Sequence, residues 1–100
     1  MITPELFLIC KVKKISELEV FSNGMKKRTI EVLALHRRKS EVFEISFYNK
    51  YISQIENLNK SAIYKIACIL RSEVYQDKET EKKTYFTHLV GVYVIRIGNT

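Results

Sequence analysis

Glycine and proline are scarce in this chain, which has three glycines and one proline among its 100 residues. Because these residues form most tight turns, we expect few turns and long secondary-structure elements. No apolar run approaches the roughly 20 residues that a membrane-spanning helix needs. The N-terminal segment also lacks the positive charges that begin a secretory signal peptide. The sequence therefore predicts neither a membrane span nor a leader.

The two cysteines, Cys10 and Cys68, are far apart, have apolar neighbours and form no CxxC motif. This pattern argues against a disulfide scaffold or a zinc site, and it predicts reduced, buried thiols in a cytoplasmic protein. Catalytic motifs are missing as well: the chain has no P-loop, no nucleotide-binding glycine fingerprint and no HExxH. His36 and His88 have no acidic residue at a spacing that suggests a triad. We therefore expect no enzyme, no cofactor and no metal.

Positive charge is in excess: 17 Lys and Arg against 11 Asp and Glu give a formal net charge of +6. The hydrophobic content of 46% is typical of a globular chain, and the length fits a single domain over residues 1–100. The charge favours an acidic partner, of which nucleic acid is the commonest. An ordinary basic surface is the alternative.

Alternating apolar and polar residues predict a mainly β structure. The run Ser22-Asn23-Gly24 between two extended segments predicts a hairpin turn. After residue 48 the period becomes helical: Asn49 is a suitable N-cap, residues 50–58 form a short amphipathic helix, and Asn59 ends it in a left-handed conformation. The predicted extended segments are 6–15, 17–21, 25–35, 41–48, 62–75 and 84–97.

The predicted order is three strands, one short helix and two further strands, with the piece 17–21 belonging to the first hairpin. We therefore predict an all-β OB-fold, a five-stranded Greek-key barrel with its helix between the third and fourth strands. An SH3-like barrel, which would carry at most one helical turn placed later, is one alternative. A flat antiparallel sheet crossed by a helix is the other. Phe43, Ile45 and Phe47 are predicted to face the core, and Tyr48 to face outwards.

Five segments carry a resemblance to known proteins: GMKKR at 24–28, FEI at 43–45, NKYI at 49–52, SEVY at 72–75 and the aromatic pair at 85–86. With these segments the chain resembles small OB-fold single-stranded-DNA-binding proteins. It resembles more closely an uncharacterised single-domain OB family of Bacteroidetes and their phages. The likeness extends over most of the chain, and it implies an OB barrel that binds single-stranded DNA.

The chain also departs from the pattern of these proteins. Ser61 stands where they usually have glycine, and tryptophan, the strongest base-stacking residue, is missing. The chain stops at Gly98-Asn99-Thr100 without the acidic tail that cellular single-stranded-DNA-binding proteins use to recruit partners. The recruiting role is therefore in doubt, and the binding role is not.

Binding of a single strand requires cations along the phosphates and flat side chains on which bases stack. In OB-folds the site lies across the second and third strands, between two loops. Exposed loop lysines that only keep the protein soluble are the alternative for each cation, and Asp77, Glu79 and Glu81 offset the charge of the last loop. Tyr75 and Tyr85 either clamp a base or brace that loop. The predicted nucleic-acid-binding residues are Lys26, Lys27, Arg28, Arg37, Arg38, Tyr48, Lys50, Tyr75, Lys82, Lys83 and Tyr85.

Two functional hypotheses follow. The first is a non-enzymatic protein that binds single-stranded DNA, or RNA, with little sequence preference and serves DNA replication or recombination. The second is an OB-fold protein-interaction module, an accessory subunit or inhibitor, whose basic charge is incidental. Ile63 and Ile69 share the outward face of the strand over 62–75, which favours a homo-oligomer and most simply a dimer.

Overall fold

The computed structural model describes residues 2–35 and 38–99. Within these ranges no helix is long and apolar enough to cross a membrane. A single 3-10 helix, Asn49–Ile55, separates the fourth strand from the fifth. The strands are β1 (Leu6–Ile15), β2 (Glu19–Val20), β3 (Lys26–Ala34), β4 (Glu41–Tyr48), β5 (Ala62–Gln76) and β6 (Lys83–Asn99).

Five of the strands close into a ring. β1 pairs antiparallel with both β3 and β5, β3 pairs with β4, and β5 pairs with β6. A short parallel contact between β4 and β6 closes the ring. The mostly β architecture with one short helix agrees with the prediction. The described chain has six strands rather than five, however, because part of the piece 17–21 forms β2, which pairs only with the first residues of β3.

The inward-facing residues follow the predicted alternation. Ile30 and Ile45 lie directly opposite each other in the β3–β4 ladder, and both are fully buried together with Phe47. Burial of such a side chain stabilises the fold by about 1.5–3 kcal/mol relative to its exposure. Residues that complete the core include Leu8, Cys10, Val12, Val32, Ile55, Ala62, Tyr64, Ile66 and Cys68.

The hairpin predicted at 22–24 is present. The Phe21 amide donates to the Met25 carbonyl at 2.8 Å, and the Gly24 amide donates to the Phe21 carbonyl at 2.9 Å. Gly24 has a φ of 86°, a left-handed conformation that glycine adopts without steric cost. Asn23 contributes through its side chain, whose Oδ1 accepts from the Met25 amide at 3.0 Å.

The predicted helix differs in kind and in its ends. It is a 3-10 helix that stops at Ile55, and its N-cap position is Tyr48 rather than Asn49. Asn49 itself is left-handed, with a φ of 49°, and its Oδ1 accepts from the Lys26 amide at 3.0 Å. The Asn49 side chain is therefore occupied by β3 and does not cap the helix. Asn59 is not left-handed, contrary to the prediction.

A close contact fixes β6 against β4. At Gly91 a Cβ atom would overlap the Phe47 ring, so only glycine lets the ring pack directly on the β6 backbone. The register between β5 and β6 shifts at this point, since Ala67 faces Tyr93 and Cys68 faces Gly91. Gly91 therefore combines a close backbone approach with an irregularity in the β5–β6 ladder.

The two cysteines are free and buried, as predicted. Burial raises the pKa of Cys10 to about 12, and burial together with the nearby Cys10 raises the pKa of Cys68 to about 12. Because the folded state holds both thiols in the neutral form, their contribution to stability is retained at neutral pH. It declines only as the pH rises above the ordinary thiol value towards 12.

The outward face of β5 differs from the prediction in two places. Ile69 is 3% exposed rather than open to solvent; it lies opposite Val90 in the β5–β6 ladder and lines the same cavity as Tyr51. The alternation of β5 would direct Leu70 towards the core. Leu70 is nevertheless 44% exposed, because β5 continues beyond the barrel at this point. Ile69 therefore gives no support to an oligomer.

Candidate nucleic-acid interface

The outer halves of β5 and β6 form an exposed two-stranded arm, residues 70–89. Its ladder continues from Leu70 opposite Leu89 to Gln76 opposite Lys83, a length of about 20 Å at about 3.3 Å per residue. Directly opposed residues share a face, so one face of the arm carries the three pairs Arg71 and His88, Glu73 and Phe86, and Tyr75 and Thr84.

This face of the arm holds a shallow cavity of about 550 Å³, here called the outer cavity. Tyr75 and Phe86 meet there edge to face, with 5.4 Å between ring centroids. Both rings are largely accessible, with 57% of Tyr75 and 47% of Phe86 exposed. Exposed aromatic rings on a polar arm provide surfaces on which a base can stack. The cavity is lined by Glu73, Tyr75, Thr84, Phe86 and His88.

A second cavity of about 370 Å³, the inner cavity, continues the same face towards the barrel. It shares Glu73 and His88 with the outer cavity. Tyr48, from the end of β4, and Tyr51, from the 3-10 helix, form its barrel side. The two cavities together, here called the arm groove, place aromatic rings at intervals along one continuous surface.

Cations surround the inner cavity. Arg71 lines it directly. The Lys50 ammonium lies 5.3 Å from the centre of the Tyr51 ring, a cation–π distance. Lys27 stands opposite Tyr48 in the β3–β4 ladder and also lines a neighbouring cavity that includes His88. At these positions the three cations can contact the phosphates of a strand that stacks on Tyr48.

The structure brings four of the predicted residues together at the barrel end of the arm groove. β3–β4 pairing joins Lys27 to Tyr48, and the hydrogen bond from the Lys26 amide to Asn49 holds the start of β3 against the residue that precedes Lys50. This cluster consists of Lys26, Lys27, Tyr48 and Lys50.

Other predicted cations lie elsewhere. The Arg28 side chain is held by the segment after β1, because its Nε donates to the Ser16 carbonyl at 2.8 Å. Arg38 is exposed in the loop beyond Ala34, and the seven residue steps from Lys27 to Ala34 span about 23 Å. Arg37 and His36 lie outside the described residues.

Acidic residues separate Arg38 from the arm groove. Glu31 and Glu44 face each other in the β3–β4 ladder, midway between the two ends. They line a cavity of about 570 Å³ together with Glu17 and Glu19. The negative charges of these carboxylates repel a phosphate at close range. The middle of the β3–β4 face is therefore unfavourable for binding the nucleic-acid backbone.

The tyrosines that bracket the arm loop do not form a clamp. Tyr75 faces the outer cavity, whereas Tyr85 lies opposite Val74 on the other face and is 66% exposed. The Tyr75 hydroxyl donates to Glu73 Oε2 at 2.6 Å. This hydrogen bond, assisted by the Glu73 charge, raises the pKa of the Tyr75 phenol above its ordinary value. Lys82 and Lys83 are exposed at the tip of the arm.

Sequence reasoning missed Tyr51, Arg71 and Phe86. Tyr51 falls on the apolar face of the helix predicted over residues 50–58, and that position favours packing over binding. Phe86 becomes a candidate only when the β5–β6 register is known, because that register decides which β6 residues share a face with Tyr75. Arg71 lies on the same strand as Tyr75, and alternation alone places the two side chains on one face. The sequence offers one signal for the β5–β6 register. If residues 77–82 close a symmetric hairpin between the last two strands, Tyr75 pairs with Thr84.

Ionisable side chains in the arm groove show no metal-binding arrangement. In the part of the chain that the structure describes, no group of three or more His, Cys, Asp or Glu could hold a metal ion. His88 Nε2 lies 3.8 Å from Glu73 Oε2, and both side chains are about half exposed. An exposed pair of this kind contributes little to stability.

The closed ring, its parallel β4–β6 contact and the helix before β5 define an OB-like barrel. The crystal structure of the mitochondrial single-stranded DNA-binding protein Rim1 from S. cerevisiae shares this fold. The TM-score is 0.68 over 99% of this chain and 100% of that chain, at 13% sequence identity. No protein-family model and no curated protein matches the sequence.

Proposed function

We propose that this protein is a non-enzymatic single-stranded-DNA-binding protein with little sequence preference. The observation that carries the proposal is the arm groove, in which aromatic rings line one surface and cations lie beside its inner cavity. Stacking is tolerant of sequence because every base has a flat face, and phosphate contacts carry no base information. The shared fold with a protein named for single-stranded DNA binding supports the same conclusion.

The test is a fluorescence-anisotropy titration with labelled oligo-dT at several salt concentrations. Each phosphate contact contributes roughly −0.7 to the logarithmic salt slope for a single strand. If Lys26, Lys27, Lys50 and Arg71 each contact one phosphate, the slope is about −3. Affinity then falls roughly 50-fold between about 50 and 200 mM salt.

Oligo-U and a duplex of equal length are the controls. The duplex is expected to bind more weakly, because its bases stack on one another and cannot reach Tyr48 or Phe86. The oligo-U titration decides whether RNA is a ligand as well. Binding of oligo-dT that does not respond to salt, or binding that is equal for duplex, contradicts the proposal.

A protein-interaction role is the second candidate, and one observation favours it. The outer face of β1, β5 and β6 carries exposed apolar side chains: Phe7 is 45% and Ile95 is 47% exposed, and Tyr93 lies against Phe7 with 6.4 Å between ring centroids. A homodimer would form through the same apolar face, and it would double the length of DNA that the protein covers. Sedimentation velocity with and without oligo-dT distinguishes a self-associating DNA-binding protein from a monomer that needs another partner.

The proposal extends to the setting in which the protein acts. A binder of this kind serves DNA replication or recombination, and two buried, neutral thiols suit a reducing cytoplasm. The closer resemblance to a single-domain family of Bacteroidetes and their phages stays a prediction.

A further inference from the structure

An acidic side chain, Glu73, lines the outer cavity beside its two aromatic rings. Glu73 lies directly opposite Phe86 in the β5–β6 ladder. Its Oε2 accepts the Tyr75 hydroxyl at 2.6 Å and lies 3.8 Å from His88 Nε2. These two neighbours hold the carboxylate beside the aromatic pair. No described residue hydrogen-bonds to its other oxygen, Oε1.

A carboxylate at this point disfavours the phosphate backbone of a bound strand, because the two negative charges repel each other. A base stacked on Phe86 therefore directs one of its edges, and not its phosphate, towards Glu73. Single-stranded bases present their Watson–Crick edges freely, and proteins read those edges by hydrogen bonds. Glu73 can accept such bonds but cannot donate one.

The four bases differ in what they offer an acceptor. Guanine has two adjacent donors on its Watson–Crick edge, N1–H and the N2 amino group, and these match the two oxygens of a carboxylate. Cytosine and adenine each have one amino donor next to a ring nitrogen that accepts. Thymine has one N3–H between two carbonyl oxygens, which a carboxylate repels. Paired, charge-assisted hydrogen bonds are the stronger and more specific kind.

We propose that Glu73 reads one base of the bound strand and favours guanine at that position. This inference rests on the proposed function and adds one preferred position to a surface that is otherwise tolerant of sequence. Tyr75 and His88 are positioning residues, because they contact the carboxylate and orient it towards a base stacked on Phe86.

The experiment compares 12-nucleotide dT oligomers that carry a single central dG, dC or dA, at low salt, by anisotropy. We expect the dG oligomer to bind about five- to tenfold more tightly than dT alone, the lower end of the range for a bidentate base contact because Glu73 is half exposed. Glu73→Gln should abolish this advantage, since glutamine presents one acceptor and one donor. Because it removes a negative charge from the arm groove, it should also strengthen oligo-dT binding slightly. Glu79→Gln, the same charge change in the arm loop, is the matched control and should keep the dG preference.

Other outcomes overturn the inference. A dC oligomer that binds as well as the dG oligomer, or a dG preference that survives Glu73→Gln, assigns the reading to another group. Free dGMP should not displace the oligomer at a comparable concentration, because it lacks the phosphate contacts along the groove, and equal competition would indicate a mononucleotide site instead. If oligo-dT binds and dG gives no advantage, this inference alone fails. If oligo-dT does not bind, the proposed function fails.

Discussion

Replacing Phe47 by alanine is expected to lower the free energy of unfolding by about 3–5 kcal/mol. The ring is fully buried and packs directly on the Gly91 backbone, so its removal leaves a cavity between β4 and β6 at the contact that closes the barrel. That loss is a large share of the roughly 5–15 kcal/mol available to a small domain. Urea denaturation followed by circular dichroism measures it.

Gly91→Ala tests the same contact from the other strand. The added methyl group overlaps the Phe47 ring, and we expect a loss of about 1–3 kcal/mol, the usual range for overpacking. Tyr48→Ala is the neighbouring control, because the pleat directs Tyr48 out of the barrel and its truncation should cost much less. If Tyr48→Ala unfolds the protein while Phe47→Ala leaves stability intact, the register of β4 is wrong by one residue.

Tyr48→Ala is expected to weaken single-strand binding by about 1–3 kcal/mol, the usual range for one base–aromatic stack. In affinity this is a loss of roughly 5- to 150-fold. We expect this loss because Tyr48 lines the inner cavity together with Arg71 and lies opposite Lys27 in the β3–β4 ladder. Anisotropy with oligo-dT measures the change, and a melting curve shows that the variant remains folded.

Tyr85→Ala is the matched control, because it removes the same kind of ring from the other face of the arm. It should leave oligo-dT affinity nearly unchanged. Lys27→Glu should weaken all single strands about equally, since a phosphate contact carries no base information. If neither Tyr48→Ala nor Lys27→Glu alters binding, the arm groove is not the interface, and the protein-interaction function becomes the better account.

Most of the barrel could be predicted because its determinants are local. The alternation of Phe43, Ile45 and Phe47 fixes the inner face of β4, and the Asn-Gly dipeptide marks the first hairpin. What could not be predicted depends on distant parts of the chain. Leu70 continues the alternation of the core, and nothing in its neighbours shows that β5 has left the barrel there. The burial of Ile69 also involves distant parts of the chain, since Val90 lies opposite it in the ladder and Tyr51 lines the same cavity.

The sequence predicts only part of the candidate site, because some of its residues come together through distant parts of the chain. Lys27 is predicted from its position after the Asn-Gly hairpin, and Tyr48 from the alternation of its strand; only the β3–β4 ladder shows that the two lie opposite each other. Arg28 was included by its charge, whereas its hydrogen bond to the Ser16 carbonyl depends on how the chain returns after β1. Phe86 requires the β5–β6 register, which follows from the sequence only if residues 77–82 are taken to close a symmetric hairpin.

The central claim is that a single strand lies in the arm groove, and amide chemical-shift mapping tests it most directly. On titration of the isotope-labelled protein with oligo-dT, the largest shifts should occur at the groove residues Tyr48, Tyr51, Arg71, Phe86 and His88. The opposite arm face around Tyr85 and the acidic β3–β4 centre at Glu31 and Glu44 should change little. Shifts confined to the apolar face of Phe7 and Ile95, with the arm groove unaffected, would contradict the account.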